Sequence, residues 1–329
     1  MGLTHFPHGV FATPNVGAAE RAAMFQGDNI FFVDGDLSGA SSGSRGLNPD
    51  EAVSLPSEAV SKAVRGGIVY VRPRLTAASA QTYYVDNITL PVEKPNLQIL
   101  GCGADIDNPY MGVDIKASVV TTAVMTVYGA GCLIEGVRLA GTGQTADSAS
   151  VLTASINGTT TRAYGLTIRN SRFSNAKGHL VGGGCAINLY DAIHTKIEHC
   201  TFTDCLGGIA VQSVMAAING LKIINCQFEG TVAGRDVDIL IYGGGASKGL
   251  LIKGCDFNDG LPNHGVVNRF IQTASSITGM LADCNFAVSG STVDSLIGTA
   301  GAAAVVPTTI LIVRCFAEGT AEGIGIASR

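Results

Sequence analysis

The residues with the greatest chemical potential in this chain are its nine cysteines. Thiols can form disulfides, bind soft metal ions or act as nucleophiles. The odd count argues against a complete disulfide framework, and the sequence has no Cys-x-x-Cys pair of the kind that metal sites use. Cys200 and Cys205 are the closest pair, and their spacing alone indicates little. We therefore expect free thiols that behave as small apolar side chains, with no metal and no cofactor.

Carboxylates that could support hydrolysis are few. Asp236 and Asp238 could lie on one face of a strand, and a glycosidase needs two carboxylates roughly 5–10 Å apart across the scissile bond. A solvated turn explains this pair equally well, and the fragment Asn263-His264-Gly265 lacks companion motifs. The chain has no Trp and only 6% aromatic residues, which weakens the case for a sugar-binding groove. The sequence thus predicts no catalytic residue and a protein that is not an enzyme.

A repeat determines where the thiols lie. Six copies of a short motif each contain an apolar stretch, a polar or glycine residue, Cys (Ser171 in the first copy) and then Phe. The phenylalanines are 29, 26, 29, 29 and 30 residues apart, a period typical of solenoids. The repeated residues are Cys200, Cys226, Cys255, Cys284 and Cys315, with Phe173, Phe202, Phe228, Phe257, Phe286 and Phe316.

The repeated unit is β rather than α. Apolar residues alternate around each Cys, as in Ile223, Cys226 and Phe228, and the alternation breaks just before the Cys. This break predicts a tight corner, which Asn and Gly accept readily and which His199 and Arg314 suit less well. Two or three short strands in each repeat predict an all-β parallel β-helix. The cysteines and phenylalanines would then form two internal columns, a structural core ladder.

Composition and charge exclude other classes. The net charge is −5 and the pI is near 5.6, so we expect no nucleic-acid partner. Mean hydropathy is +0.32, but no run approaches the ~18 apolar residues that span a bilayer, so we expect no membrane association. The N-terminus lacks a basic segment followed by an apolar one, so no secretory signal is expected.

We divide the chain into three parts. Residues 1–26 form an extended N-terminal docking arm, residues 27–95 form an N-terminal cap and the first coil, and residues 96–329 form the remaining coils. The cap contains a short helix at about residues 57–64, with Ser57 as its N-cap. His5 and His8 could be metal ligands, but we favour a docking peptide. Its partner-binding residues would be Leu3, His5, Phe6, Pro7, His8, Val10 and Phe11.

Two stretches resemble known proteins. Residues 29–35 (NIFFVDG), 67–73 (GIVYVRP) and 96–101 (NLQILG) resemble the N-terminal part of pectate-lyase-like right-handed β-helix proteins, and the I-x-N-C-x-F repeats resemble their later coils. Separately, residues 3–10 (LTHFPHGV) resemble the first residues of structural proteins of tailed bacteriophages. These resemblances imply the pectin-lyase-like fold, a right-handed, single-stranded parallel β-helix, and a virion structural protein.

The phage resemblance also implies an assembly. It suggests a capsid decoration or cement protein on the virion surface, assembled in the host cytoplasm. The expected partners are further copies of the chain in a homotrimer, together with the major capsid protein or another virion protein.

Two alternatives remain open. One is a tail fibre or tailspike that binds a receptor, and the other is a polysaccharide lyase or glycoside hydrolase. Pectate-lyase relatives carry clustered aspartates for calcium and a basic catalyst, and polygalacturonase relatives carry Asn-Thr-Asp, Gly-His-Gly and Arg-Ile-Lys motifs. None of these motifs stands in this sequence.

Overall fold

The computed structural model describes most of the chain between residues 29 and 319. The described ranges are 29–74, 82–103, 112–142, 144, 149–155, 163–177, 184–190, 193–213, 219–230, 237–243, 248–259, 270–273, 277–288, 297–299 and 309–319. Within them the chain forms short parallel strands, one α-helix and one 3-10 helix. The strands form three sheets, here named A, B and C.

Sheet A has ten parallel strands. In spatial order they are β1 (Ile30–Val33), β2 (Ile68–Val71), β5 (Gln98–Gly101), β8 (Leu133–Glu135), β11 (Thr167–Arg169), β14 (Lys196–Glu198), β17 (Lys222–Ile224), β20 (Leu250–Lys253), β23 (Gly279–Ala282) and β26 (Ile310–Val313).

Sheet B has nine parallel strands. From β9 onward, each of them follows a strand of sheet A after a corner of one or two residues. They are β3 (Tyr84–Val85), β6 (Val113–Lys116), β9 (Val137–Ala140), β12 (Arg172–Ser174), β15 (Thr201–Thr203), β18 (Gln227–Gly230), β21 (Asp256–Asp259), β24 (Asn285–Val288) and β27 (Phe316–Gly319).

Sheet C has eight parallel strands. They are β4 (Ile88–Leu90), β7 (Met125–Val127), β10 (Leu152–Ala154), β13 (Ile187–Leu189), β16 (Ile209–Ser213), β19 (Ile239–Gly243), β22 (Ile271–Thr273) and β25 (Ile297–Thr299). In all three sheets the neighbour of a strand is its counterpart one coil away. The predicted right-handed parallel β-helix is therefore confirmed.

Alternation builds the core. The central residue of each sheet A strand points inward, so that Ile134, Ile168, Ile197 and Ile223 are fully buried in one column. The phenylalanines of sheet B form a second column, in which successive rings from Phe173 to Phe228 are 5.3 and 4.7 Å apart and nearly parallel. Identical residues repeat at one coil spacing, so each ring packs flat on the next.

The corner between sheets A and B lies where the alternation breaks. Asn170, His199, Asn225, Asp283 and Arg314 all have positive φ there, between 48° and 55°. Asn and His are enriched in this region of φ, whereas Arg gains no such local advantage. Strand pairing holds the corner in place at His199, whose backbone N–H donates to the Ile224 carbonyl of the next coil.

A helix covers the N-terminal end of the solenoid. Helix α1 (Pro56–Lys62) follows a 3-10 helix (Pro49–Glu51), and it buries Ala59 and Val60 in the same core as Phe31. The prediction that Ser57 is the N-cap is wrong, since the helix begins one residue earlier with Leu55 at that position. Pro56 suits the first helical position because it needs no N–H partner.

The last phenylalanine departs from the predicted core ladder. Phe316 is 68% exposed and pairs with Asn285, while Phe286 pairs with Ala317. The final repeat reads Cys-Phe without the intervening residue of the other copies. Since side chains alternate along a strand, one missing residue turns the ring outward. The prediction that Phe316 belongs to the internal column is therefore wrong.

No helix among the described residues is long and apolar enough to cross a membrane.

Candidate functional site

Several residues singled out in the sequence lie outside the described part of the chain. These include the whole proposed docking set, Leu3, His5, Phe6, Pro7, His8, Val10 and Phe11, together with Asp236 and residues 263–265. Asp238 is described, and it is only 1% exposed. The structure therefore gives no pairing of Asp236 with Asp238.

The thiol column, defined as Cys200, Cys226, Cys255, Cys284 and Cys315, lies beside the corner. The first four side chains are buried and Cys315 is half-buried. Each thiol donates weakly to two carbonyls, as Cys226 Sγ does to Ile224 O at 3.5 Å and to Ile197 O of the preceding coil at 3.7 Å. Ser171, at the equivalent position of the earlier coil, donates to the Arg169 carbonyl at 2.9 Å.

Their surroundings keep Cys226 and Cys284 protonated. Burial raises the pKa of Cys226 well above its usual value, and the hydrogen bond that Cys284 donates to Cys255, together with burial, raises the pKa of Cys284 to about 12. The thiolate is the form that attacks or binds metal, so a raised pKa suppresses both reactions. Among the described residues, no group of three potential ligands could hold a metal ion. The arrangement is that of a packed structural column.

A charged cluster lies on the outer face of sheet B near its N-terminal end. We name it the arginine cluster, and its members are Tyr83, Asp114, Lys116, Arg138 and Arg172. Asp114, Arg138 and Arg172 lie opposite one another on β6, β9 and β12. Arg138 Nε is 3.2 Å from Asp114 Oδ1, and both side chains are largely buried. Gly112 keeps room for this arginine, because a Cβ there would lie 2.5 Å from Arg138 Cδ.

The rest of the cluster surrounds this ion pair. Lys116 Nζ lies 4.9 Å from the centre of the Tyr83 ring, a cation–π contact. Burial and the negative charge of Asp114 raise the pKa of Tyr83, so its hydroxyl remains a donor at neutral pH. With one carboxylate against three cations, the cluster is net positive on a chain whose net charge is −5.

Arg172 gives the cluster its binding potential. Its Nε is buried and has no hydrogen-bond partner within the described part of the chain. A buried unpaired donor costs about 1–3 kcal/mol, more for a charged group. A guanidinium binds carboxylate, phosphate or sulfate with two parallel hydrogen bonds. Arg172 is therefore the candidate anion-binding group of the cluster.

The outer face of sheet C is closed at its middle coils. Cys185, Ala210, Val237 and Leu240 form a small buried apolar cluster there. Asn188, on the same face, is 2% exposed, and its side-chain oxygen has no hydrogen-bond partner among the described residues. This face therefore presents a covered surface at these coils, while the arginine cluster on sheet B stays partly open.

Sequence reasoning missed the arginine cluster. The sequence does contain a signal for it. Arg138 (in VRL, residues 137–139) and Arg172 (in SRF, residues 171–173) each directly precede the inward-facing residue of neighbouring sheet B strands. An alignment of the first repeats by register would have placed both arginines in one column. Asp114 and Tyr83 lie in coils without the Cys-x-Phe motif, so the repeat did not reveal them.

Comparison with known proteins finds similarity in structure only. No protein-family profile and no curated protein sequence matches the chain. The pectin methylesterase of Aspergillus niger, in deglycosylated form, matches with a TM-score of 0.47 and 11% identity over 92% of this chain and 91% of that one. ORF18 of Geobacillus virus E2 matches with a TM-score of 0.44 and 13% identity over 91% of this chain and 63% of the other.

A third similar structure is a tailspike. The tailspike protein gp49 of Acinetobacter baumannii bacteriophage Fri1, a capsular polysaccharide depolymerase, matches with a TM-score of 0.34 and 12% identity. The match covers 90% of this chain and 62% of the tailspike. This chain therefore spans less than two thirds of the length of either phage protein. Similarity at this level shows the fold and does not carry over an activity.

These structures correct one prediction. The sequence predicted that the chain is not an enzyme, and this is contradicted because the similar structures include a pectin methylesterase and a polysaccharide depolymerase. The three parallel sheets carry the fold class by themselves. The chain is a right-handed parallel β-helix protein.

Proposed function

We propose that this chain is a structural protein of a tailed bacteriophage virion and that it decorates the capsid surface as a cement protein. The observation that carries the proposal is the combination of a phage-like arm sequence at residues 3–10 with a stiff β-helical body. The inner Ile and Phe columns run through successive coils without interruption. Such a body keeps its shape on a particle surface while a separate arm attaches it.

The arm would bind the major capsid protein or another virion protein. Phe6, Val10 and Phe11 are apolar, and full burial of each on a partner would contribute roughly 1.5–3 kcal/mol, less the entropy of ordering the arm. The body has its own cap in helix α1, whose Ala59 and Val60 are buried in the core. Folding of the body is therefore expected to be independent of the arm.

A truncation tests this proposal. A variant without residues 1–26 should keep the melting temperature of the full chain. When it is added to phage particles that lack this protein, it should occupy far fewer sites than the full chain does. Phe6→Ala with Phe11→Ala should reproduce the loss, whereas Thr4→Ala in the same segment should not. Wild-type occupancy of the truncated protein would show that the arm is not the anchor.

The position on the particle needs a second measurement. Gold-labelled protein imaged on whole phage particles should lie over the head at many regularly spaced points. Labels confined to the tail would exclude the decoration role and favour the second candidate.

The second candidate is a tail fibre or tailspike that binds an acidic receptor. The arginine cluster favours it, since Arg172 has an unpaired buried donor beside Arg138 on an otherwise acidic chain. The test is binding of an acidic capsular polysaccharide, with a neutral one as control. Arg172→Ala should weaken binding at least tenfold, whereas Arg65→Ala, an exposed arginine near the cap, should not. Shortening of the polymer during incubation would identify a depolymerase.

A further inference from the structure

Four polar side chains lie together on the outer face of sheet B, next to the arginine cluster. Arg172 and Ser174 stand on either side of the inward phenylalanine of β12, and Thr201 and Thr203 do so on β15. Register places Arg172 opposite Thr201 and Ser174 opposite Thr203. With strands ~4.8 Å apart and a rise of ~3.3 Å per residue, the four positions form a rectangle of roughly 5 by 7 Å. We name these four residues the β12–β15 patch.

The patch has hydrogen-bonding groups that the described part of the chain does not satisfy. The Nε atom of Arg172 and the Oγ1 atom of Thr203 are both buried, and neither has a hydrogen-bond partner there. Ser174 and Thr201 are half-buried and add two further hydroxyls. Buried polar groups in folded proteins are almost always paired. Two unpaired ones on adjacent strands therefore indicate a place for a bound ion or solute.

The charges on one side of the patch favour an anion. Arg138 lies opposite Arg172 on the preceding strand, and Asp114 balances its charge at a distance of 3.2 Å. Lys116 belongs to the same face and lies two strands from β12. Because the Arg138–Asp114 pair is neutral as a whole, Arg172 and Lys116 leave two positive charges at this end of the sheet.

The other side of the patch limits where an anion can lie. Thr203 is opposite Glu229 of β18, whose side chain is exposed, and Thr201 is opposite the uncharged Gln227. The potential along this face therefore changes from positive at the arginine cluster to negative at β18. An anion is held against Arg172 and is repelled from the next strand.

The number of donors distinguishes a carboxylate from a phosphate group. The guanidinium of Arg172 can give two parallel hydrogen bonds, and each of the three hydroxyls can give one. A carboxylate offers two oxygens in one plane and a single charge, whereas a phosphate monoester offers three oxygens and a charge of about −1.5 to −2 at pH 7. The tetrahedral group can direct two oxygens to the guanidinium and the third to the hydroxyls, and its charge matches the two cations.

We propose that the β12–β15 patch binds a phosphate group, as a monoester or as the free dianion. Arg172 pairs with two of its oxygens, and the hydroxyls of Thr201 and Thr203 donate to the third. The proposal rests on the second candidate function, an acidic receptor, and names the anionic group of that receptor. A phosphorylated sugar and inorganic phosphate share this chemistry, so the experiment has to separate the two sources.

Calorimetric titration of the purified full chain tests the choice of anion. The probes are glucose 6-phosphate, inorganic phosphate and glucuronate, a sugar of similar size that carries a carboxylate. Glucose 6-phosphate should bind about tenfold more tightly than glucuronate, since the carboxylate uses fewer of the donors. Inorganic phosphate that binds as tightly as glucose 6-phosphate would identify the free ion as the ligand, and weaker binding would identify an ester.

Variants of the patch separate the fork from the hydroxyls. Arg172→Lys keeps the charge but loses the two parallel hydrogen bonds, so it should weaken binding of glucose 6-phosphate about tenfold. Thr201→Val with Thr203→Val keeps the shape and should weaken binding of glucose 6-phosphate more than that of glucuronate. The matched control is Asn258→Ala, an exposed position of the same face on β21, which should change neither affinity. All variants should keep the melting temperature of the wild type, because the changes lie on the outer face.

Glu229 provides a test in the opposite direction. Glu229→Gln removes the repulsion beyond Thr203 and should tighten binding of glucose 6-phosphate up to about twofold at low salt, with no gain at high salt.

Equal affinity for glucuronate and glucose 6-phosphate would overturn the proposal, and so would binding that Arg172→Lys leaves unchanged or no binding of any probe. The polysaccharide assay described above judges the receptor role separately, because a polymer that carries only carboxylates can still bind through Arg172.

Discussion

Phe316 lies opposite Asn285 in the last strand pair of sheet B, one position away from the column that ends at Phe286. The buried rings before it repeat at separations near 4.7–5.3 Å, whereas Phe316 faces outward. The absence of one residue between Cys315 and Phe316 is enough to produce this change. One residue type thus has two environments on successive coils, buried in the core at Phe286 and exposed on the surface at Phe316.

The two kinds of phenylalanine should respond differently to truncation. Phe228 is fully buried and stacks on Phe202 at 4.7 Å and on Phe257 at 4.9 Å. Phe228→Ala should lower the free energy of unfolding by about 3–5 kcal/mol, because it leaves a cavity in the column. Phe316→Ala should change the stability of the monomer by less than ~0.5 kcal/mol. Urea denaturation at low protein concentration measures both, and equal effects would contradict the register.

The fold was predictable from sequence because the repeat carries its own register. The Cys-x-Phe spacing and the break before each Cys placed the strands of sheets A and B, including the corner at Asn225. Phe316 was misassigned because the final repeat was matched by residue type without counting the missing position. Leu55 rather than Ser57 is the N-cap, because the Glu58 side chain, and not a serine, accepts from the free backbone N–H groups at the start of the helix. Tyr83 and Asp114 lie in coils that lack the repeat, so only the structure brings them together.

The thiols should make stability depend on alkaline pH. Burial raises the pKa of Cys185 to about 12, from an ordinary value of 9.0 that the unfolded chain retains. The native state therefore holds protons that the unfolded state loses as the pH rises above about 9. This contribution to stability is fully present below about pH 9 and is lost as the pH rises towards about 12.

Urea titrations at a series of pH values measure this effect. The free energy of unfolding should fall above about pH 9, and Cys185 should contribute a slope of up to ~1.4 kcal/mol per pH unit. Cys185→Ala should be less stable at neutral pH and should show a shallower slope. If the free energy of unfolding of Cys185→Ala falls with pH as steeply as that of the wild type, burial does not raise the pKa of this thiol in the native state.

The corner residues should reveal backbone strain. His199 has a φ of 52°, a region that costs a residue with a side chain about 1–2 kcal/mol. His199→Gly should therefore raise the free energy of unfolding by about 0.5–1 kcal/mol, after the larger entropy of glycine in the unfolded chain is subtracted. Gly254→Ala should lower stability, because its φ is +62° and the new Cβ would lie 2.2 Å from Asn225 Oδ1. Thermal denaturation measures both effects. Melting temperatures that shift in the same direction in the two variants would contradict this interpretation.

The N-terminal cap depends on one carboxylate. Glu58 Oε2 accepts hydrogen bonds from the Leu55 and Ser54 backbone N–H groups at 3.0 and 3.1 Å and from the Ser54 hydroxyl at 2.9 Å. Glu58→Ala should cost about 1–2 kcal/mol, as the loss of other helix caps does. Glu51→Ala, an exposed acidic residue of the preceding 3-10 helix, is the matched control and should cost less than ~0.5 kcal/mol. Hydrogen exchange of the helix α1 amides shows whether the loss of stability lies in this helix. Unchanged protection of these amides in Glu58→Ala would contradict the role of Glu58 as a cap.

The central claim is that this β-helix is a built-in component of a phage particle. The most direct measurement is quantitative mass spectrometry of gradient-purified virions, with the major capsid protein as the internal standard. The chain should be present in a fixed, multiple copy number that survives washing at high salt, since apolar arm contacts are weakly screened. Absence from purified particles, with all of the protein free in the lysate, would contradict the account.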